Sequence, residues 1–302
     1  MGEVLWDVFD HQHRFLGGAP LNFSVNATRL GHSVSLISAV GNDSLGVEAL
    51  ARIREAGLST TSIQRSREYP TATAEVSTDS TGSAQFFIRR PAAFDSLAFV
   101  PVHLEQKLSE QPDWVYFGTL AMTEPSSERA LKELLLSAPS ARRFYDVNLR
   151  NGHWSLELVE RLSSLADVMK LNADEAEVLF EIASPDQPFR LEDFCRAWSS
   201  RFRVEILCVT LGSEGCAIFA ENKLTYFAGQ TVKVSDTVGA GDAFAAGFLH
   251  GLGEKWTFEA VATFANTVGA LVASRPGATP DWTIAECRDA LRSSQNNSSS
   301  SL

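Results

Sequence analysis

Asp236-Thr237-Val238-Gly239-Ala240-Gly241-Asp242-Ala243-Phe244 is the stretch on which the reading of this chain turns. Gly239, Ala240 and Gly241 carry no bulky side chain, so their amides can come close to a ligand. The residues that follow read as an apolar helix, with Phe244, Phe248 and Leu252 at i, i+4 and i+8. A glycine-rich turn that opens a helix leaves N–H groups free and aims the positive end of the dipole outward, which makes an anion site. Asp242 falls in the first helical turn, where the dipole favours a carboxylate by about 0.3–1 kcal/mol. An anion site beside a carboxylate suits phosphoryl transfer to an alcohol. The carboxylate takes the hydroxyl proton, and the amides stabilise charge on the transferring group. A bare G-x-G-D also fits a helix start whose glycines merely pack. Other phosphate motifs are missing from the sequence. It has no G-x-x-x-x-G-K-[ST]. The glycine after Gly241 is Gly247, too distant for a dinucleotide fingerprint. Gly212-Ser213-Glu214-Gly215 is one residue short of a nucleophile elbow.

Upstream, short apolar runs alternate with helical patterns. Strands are expected at 34–40, 114–118, 143–146, 168–171 and 206–210. Helices are expected at 44–56, 126–137, 156–166 and 173–180. This alternation predicts an α/β fold, a mostly parallel sheet with helices on both faces. From Thr71 to Arg89 the period is two, with Asp79-Ser80-Thr81-Gly82 as a turn, which predicts a β-hairpin. That hairpin, joined by chain near 8–16, is expected to form a small lid over 69–95. The C-terminal third reads as helical, with Phe258, Val261, Ala262, Ala265, Val268, Gly269 and Val272 on one apolar stripe. The serine-rich segment 293–302 reads as a disordered tail. Residues 1–292 are expected to form one domain, since 302 residues lie near the limit of a single core.

The net charge of -11 disfavours nucleic acid as a partner. Four cysteines without a C-x-x-C pair read as reduced thiols of a cytoplasmic protein. No apolar run is long enough for a membrane span. His11-Gln12-His13 lacks a nearby third ligand and reads as a solvated loop rather than a metal centre.

Five segments, in order, resemble the ribokinase-like (PfkB) carbohydrate kinases. They are Gly17-Gly18-Ala19-Pro20-Leu21-Asn22 running into Ala27-Thr28-Arg29-Leu30-Gly31; Gly41-Asn42-Asp43 with Gly46; Lys170-Leu171-Asn172-Ala173-Asp174-Glu175; Thr210-Leu211-Gly212-Ser213-Glu214-Gly215; and the opening stretch. The resemblance implies a ribokinase-like three-layer α/β/α domain with a small β lid. It implies ATP and Mg²⁺ as cofactors and a sugar as acceptor. Asp242 is then the base and Gly239, Ala240 and Gly241 the anion hole. Asp7 and Asn22 would hold sugar hydroxyls, with Gly17 and Gly18 admitting the backbone. Asn172 and Glu175 would manage the nucleotide phosphates and Mg²⁺. Thr210, Gly212 and Gly215 would line the nucleotide, and Asn266 would lie near the adenine. Asp236, Val238, Val272, Arg275 and Gly277 match positions where some members bind a monovalent cation such as K⁺. A homodimer through the lid is left open.

Arg90-Pro91-Ala92-Ala93-Phe94-Asp95 and Asp146-Val147-Asn148-Leu149-Arg150 resemble fructokinase members, with Val147 in place of a proline. This implies phosphorylation of D-fructose to fructose 6-phosphate. Arg90 and Arg150 also keep open a 2-keto-3-deoxygluconate kinase, in which arginines near these places hold a carboxylate. They equally fit structural ion pairs. Other sugar or nucleoside kinases, and a non-catalytic sugar-binding relative, are the remaining alternatives.

Overall fold

The computed structural model describes residues 1–9, 13–78, 84–99 and 111–299. The chain divides into two compact units. One comprises Met1–Val25, Val34–Ala141 and Asn148–Leu158; the other comprises Asn26–Ser33, Arg142–Val147 and Val159–Leu302. This division is finer than the single domain read from the sequence, and the first unit is larger than the lid segments alone.

The first unit contains β1 (Leu5–Val8), β2 (Arg14–Gly17), the start of α1 (Ala19–Arg29), β3 (Ser38–Gly41), α2 (Ser44–Glu55), β4 (Ile63–Ser66), β5 (Ala72–Thr78), β6 (Ala84–Ile88), β7 (Trp114–Gly118) and α3 (Pro125–Ser137). Its four-stranded sheet has the order β2-β1-β5-β6. β1 runs antiparallel to β2 and parallel to β5, and β5 pairs antiparallel with β6. The expected hairpin is present, and β1 and β2 join it. The turn at 79–82 and residues 10–12 of the lid lie outside the described residues. Alternation along β1 decides what faces where. Trp6 turns into a core with Val4, Leu21, Val25, Leu36, Val40, Leu50 and Ile53. Each such side chain withdrawn from water stabilises the unit by about 1.5–3 kcal/mol. Asp7, its neighbour, takes the opposite face. Asp43 caps α2 and ties it to the hairpin. Its carboxylate accepts from Gly46 N (2.7 Å), Thr71 N (2.8 Å) and Thr71 Oγ1 (2.7 Å). Burial pushes this carboxyl up, but the hydrogen bonds outweigh it and the pKa is lowered.

The second unit contains β8 (Arg142–Asp146), most of α4 (Leu156–Ser163), β9 (Val168–Asn172), α5 (Ala173–Ala183), α6 (Leu191–Phe202), β10 (Ile206–Thr210), β11 (Gly215–Ala220), β12 (Lys223–Ala228), α7 (Ala240–Gly253), α8 (Phe258–Ala273) and α9 (Ile284–Ser299). Its strands lie in the order β12-β11-β10-β9-β8, with β8, β9 and β10 parallel and β11 and β12 antiparallel. The β11–β12 hairpin corrects the expectation that the C-terminal third is helical beyond the strand at 206–210. Glu221 and Asn222 turn it with φ of 52° and 61°. Two positive φ values suit a two-residue hairpin turn, but glutamate gives no such signal in sequence. At the C-terminal end α9 extends to Ser299. Thr283 and Glu286 start it with a reciprocal cap: Thr283 N donates to Glu286 Oε2 (2.8 Å) and Glu286 N to Thr283 Oγ1 (3.2 Å). Extending a helix costs far less than nucleating one, so poor formers such as Ser and Asn are carried along. Residues 300–302 lie outside the described residues.

Candidate active site

In the second unit the glycine-rich stretch opens α7, as its sequence implies. Gly239 occupies the cap position with φ 77°, and no side chain caps the helix. A Cβ on Gly239 would lie 2.1 Å from Ala278 O, so both the dihedral and the close approach require glycine there. The first-turn amides have no acceptor within the helix by geometry. Asp242, in that turn, is 8% exposed. Ala243, Ala245, Ala246 and Phe248 behind it are fully buried, which fixes the helix rigidly.

The loops around this turn are braced by side chains. Asp236 accepts from Val238 N through Oδ1 and from Gly277 N through Oδ2, both at 3.0 Å. Asp236 N in turn donates to Ala273 O (3.2 Å). These bonds bring together the segment 236–238 and the segment 272–277. Arg29 donates to Pro280 O (2.6 Å), Thr279 O (3.1 Å) and Asp281 Oδ1 (2.9 Å). Trp282 Nε1 donates to Asn26 Oδ1 (2.8 Å). Arg275 reaches Asp281 O and Glu286.

Lys170, on β9, is 4% exposed and donates to Asp146 Oδ1 (2.9 Å) and Oδ2 (3.2 Å) on β8. Burial opposes its charge, but Asp146, Asp242 and Glu175 outweigh burial and raise its pKa. Asn172 caps α5, and its cap is reciprocal: Asn172 N donates to Glu175 Oε2 and Glu175 N to Asn172 Oδ1, each at 2.8 Å. Thr210 ends β10. Gly212, with φ 59°, and Gly215, with φ 108°, bound the short 3-10 turn Gly212–Glu214. Asn266, on α8, donates to Ala228 O (3.1 Å), so its amide is satisfied by the core.

In the first unit Gly17 pairs with Leu5 and so shares the face of Asp7. A Cβ on Gly17 would lie 2.7 Å from Asp7 Oδ2, so the glycine makes room for that carboxylate. Burial pushes the Asp7 carboxyl up to about 6, while Arg150 pulls it down. Glu3 is 5% exposed, and its Oε2 has no hydrogen-bond partner. Burial raises its pKa, with Arg150 and the amide of Ala19 opposing. Asn22 is buried within the first turn of α1, and its amide donates to Gly18 O (2.9 Å). It therefore sits inside the helix rather than at its cap. Arg90 is elsewhere engaged. Its Nε donates to Asp95 Oδ2 (3.0 Å), its second nitrogen reaches Asp95 Oδ1, and Glu124 lies 3.7 Å away.

The sequence matches the pfkB family carbohydrate kinases over residues 8–285. The chain belongs to this family. A fructokinase of Salmonella typhimurium is 31% identical over 277 residues, 87% of each chain. A fructokinase of Escherichia coli is 28% identical over 92% of this chain and 91% of its own. Among solved structures, the fructokinase of Xylella fastidiosa with bound ATP superposes with a TM-score of 0.85 at 25% identity, covering 97% of both chains. The Vibrio cholerae fructokinase, bound to fructose, ADP and calcium, gives a TM-score of 0.78 at 25% identity over 96% of this chain and 97% of that one.

The ribokinase-like α/β/α fold expected from the resemblance is thus the fold of this chain. As a pfkB-family member it is an ATP-dependent carbohydrate kinase. In this kinase the second unit gathers Asp236, Val238, Gly239, Ala240, Gly241 and Gly277 around the start of α7. The first unit gathers Asp7 and Gly17, with Arg150 close enough to act on Asp7. Arg90 is the partner of Asp95. Sequence reasoning passed over the roles of Lys170, Asp146, Glu3 and Arg29. Charged residues inside apolar strands, such as Lys170 after Val168-Met169 and Glu3 before Val4-Leu5, were the available signal. Among the described residues no helix is long and apolar enough to cross a membrane.

Proposed function

We propose that this kinase transfers the terminal phosphoryl group of ATP to the primary hydroxyl of D-fructose, giving fructose 6-phosphate. The observation that carries the reading is Asp242, buried in the first turn of a helix opened by Gly239. Asp242 takes the hydroxyl proton as the oxygen attacks. The amides of Gly239, Ala240 and Gly241 donate to the phosphoryl oxygens as charge spreads over them. Asp7 and Asn22 accept and donate hydrogen bonds to the sugar, with Gly17 and Gly18 clearing space. Asn172 and Glu175 stand at the phosphate side, and Thr210, Gly212 and Gly215 along the nucleotide, with Asn266 shaping its base pocket through the core. Mg²⁺, carried in on the nucleotide, would neutralise phosphate charge there. Mg²⁺ keeps several waters, so the donor set of Asn172 and Glu175 fits it without a closed protein cage.

A neutral ketose fits better than a sugar acid. Arg90 is committed to Asp95, and Arg150 acts on Asp7 and Glu3, so neither guanidinium is set aside for a substrate carboxylate. ADP release measured across a dozen sugars and sugar acids tests this. Fructose is expected to lead, and faster turnover of 2-keto-3-deoxygluconate would overturn the choice.

Three finer points belong to the same proposal. Asp236 accepts from Val238 N and Gly277 N and so braces the loops, and backbone carbonyls near Val238, Val272, Arg275 and Gly277 would hold K⁺. Activity unchanged when tetramethylammonium replaces K⁺ would reject that site. The lid sheet exposes Phe15 and Phe87, apolar surface that a second copy would cover, and light scattering at micromolar concentration tests the dimer. The four buried free cysteines fit a reducing cytoplasm.

A further inference from the structure

We infer that the ammonium group of Lys170 is a fixed countercharge of the phosphoryl-transfer site, a positioning residue that holds the anion turn and Asp242 ready for an incoming polyphosphate. This rests on the assignment of Asp242 and the glycine turn made above. A Cβ on Gly241 would lie 3.4 Å from Lys170 Nζ, so the ammonium abuts the turn at its last glycine. Asp146, itself fully buried, grips the ammonium with both oxygens and fixes its place. The carboxylates of Asp242 and Glu175 act on the same nitrogen.

The charge balance explains why a cation is needed here. Asp242 and Glu175 are acidic, the chain carries a net -11, and the ligand is a polyphosphate. The helix start offers only about half an elementary positive charge. Lys170 adds a whole one, held in low dielectric where it acts strongly and does not have to reorganise during the reaction. A buried ion pair is a poor device for stability alone, because desolvating both ions offsets most of their attraction. Apolar side chains on β8 and β9 would pack as well. The placement of this pair against Gly241 is therefore explained by the site and not by the sheet.

The test separates this role from a structural one. Asp146→Asn with Lys170→Met removes both charges and leaves no buried ion unpaired. The expected result is a melting temperature near the parent's, a kcat lowered roughly 10- to 100-fold, and a sugar KM within about threefold. Asp146→Asn alone keeps the cation and is expected to lose less kcat than the double variant. A double variant with parent-like kcat would overturn the inference and leave a plain structural pair. Should the double variant not fold, Lys170→Gln keeps a donor for Asp146 and removes only the charge. The same fall in kcat is expected of it, and parent-like turnover would again overturn the role. Asp242→Asn, measured alongside, distinguishes the two levels. If it retains turnover, the underlying assignment fails; if it is inactive while the neutral pair is active, only the Lys170 role fails.

Discussion

Under the proposed function the two units meet their ligands in opposite ways. In the second, the groups proposed for the phosphoryl oxygens are backbone amides at the start of α7, and their placement depends on a glycine packed against Ala278 O. In the first, the groups proposed for sugar hydroxyls are side chains, Asp7 and Asn22, and Gly17 makes room for the Asp7 carboxylate. A phosphoryl group has the same shape in every kinase, so a backbone cradle serves it without regard to side-chain identity. Sugars differ in where their hydroxyls point, and only side chains can be exchanged to follow them. Charge follows the same division. The second unit fixes Lys170 on the Asp146 carboxylate, whereas the first buries Glu3 and half-buries Asp7 with Arg150 as their shared counterweight.

The largest effect is expected where the two modes meet in one residue of the second unit. Asp242→Asn should lower kcat by roughly 10²–10⁴-fold while calorimetric ATP affinity stays near the parent value. An Asn variant with near-normal turnover would break the contrast, since no side chain in that unit would then be chemical. Gly239→Ala tests the backbone half. It forces a Cβ into Ala278 O at an unfavourable φ, and should cost kcat about 10²-fold with a lowered melting temperature.

Asp7→Asn should act only on the sugar side. It is expected to lower kcat/KM for sugar by roughly 10–100-fold, the worth of about one charge-assisted hydrogen bond, with KM for ATP unchanged. Its stability should move the other way. A carboxyl raised from 3.8 to about 6 stabilises the fold fully below 3.8, and that contribution is lost as pH rises through about 6. Asp7→Asn has no such loss, so its melting temperature should exceed the parent's near pH 7.5 and the gap should close near pH 4. A constant gap across that range would show that Asp7 does not titrate as its burial implies. The smallest effect on chemistry belongs to Arg90→Ala. It leaves Asp95 buried without its partner and should cost stability by about 3–5 kcal/mol, seen in urea unfolding. The ratio of fructose to sugar-acid turnover should stay within about twofold, because Arg90 serves Asp95 and not the substrate.

Much of this molecule was readable before any coordinate. The parallel strands β8, β9 and β10 and the hairpin of β5 and β6 announced themselves by period, and Gly239 to Asp242 by composition. What escaped were pairs whose members are far apart in sequence. Nothing local marks Arg29 as the brace of Thr279, Pro280 and Asp281, or Asn26 as the acceptor for Trp282. The hairpin of β11 and β12 escaped because Glu221 adopts a positive φ that its own preference opposes. Helix α9 ran past Ser293 because a cap at Thr283 nucleated it, whatever the composition of its end.

From sequence alone came the family and the glycine turn that opens α7, since each depends on residue types at fixed short spacing. Backbone dihedrals and helix dipoles are local properties, so local sequence dictates them. The folded chain decided which carboxylate Arg90 serves, which carboxyls burial pushes up in pKa and which lysine lies against Gly241. Those answers depend on burial and on partners tens of residues away, and desolvation is felt only once the chain has closed around the charge.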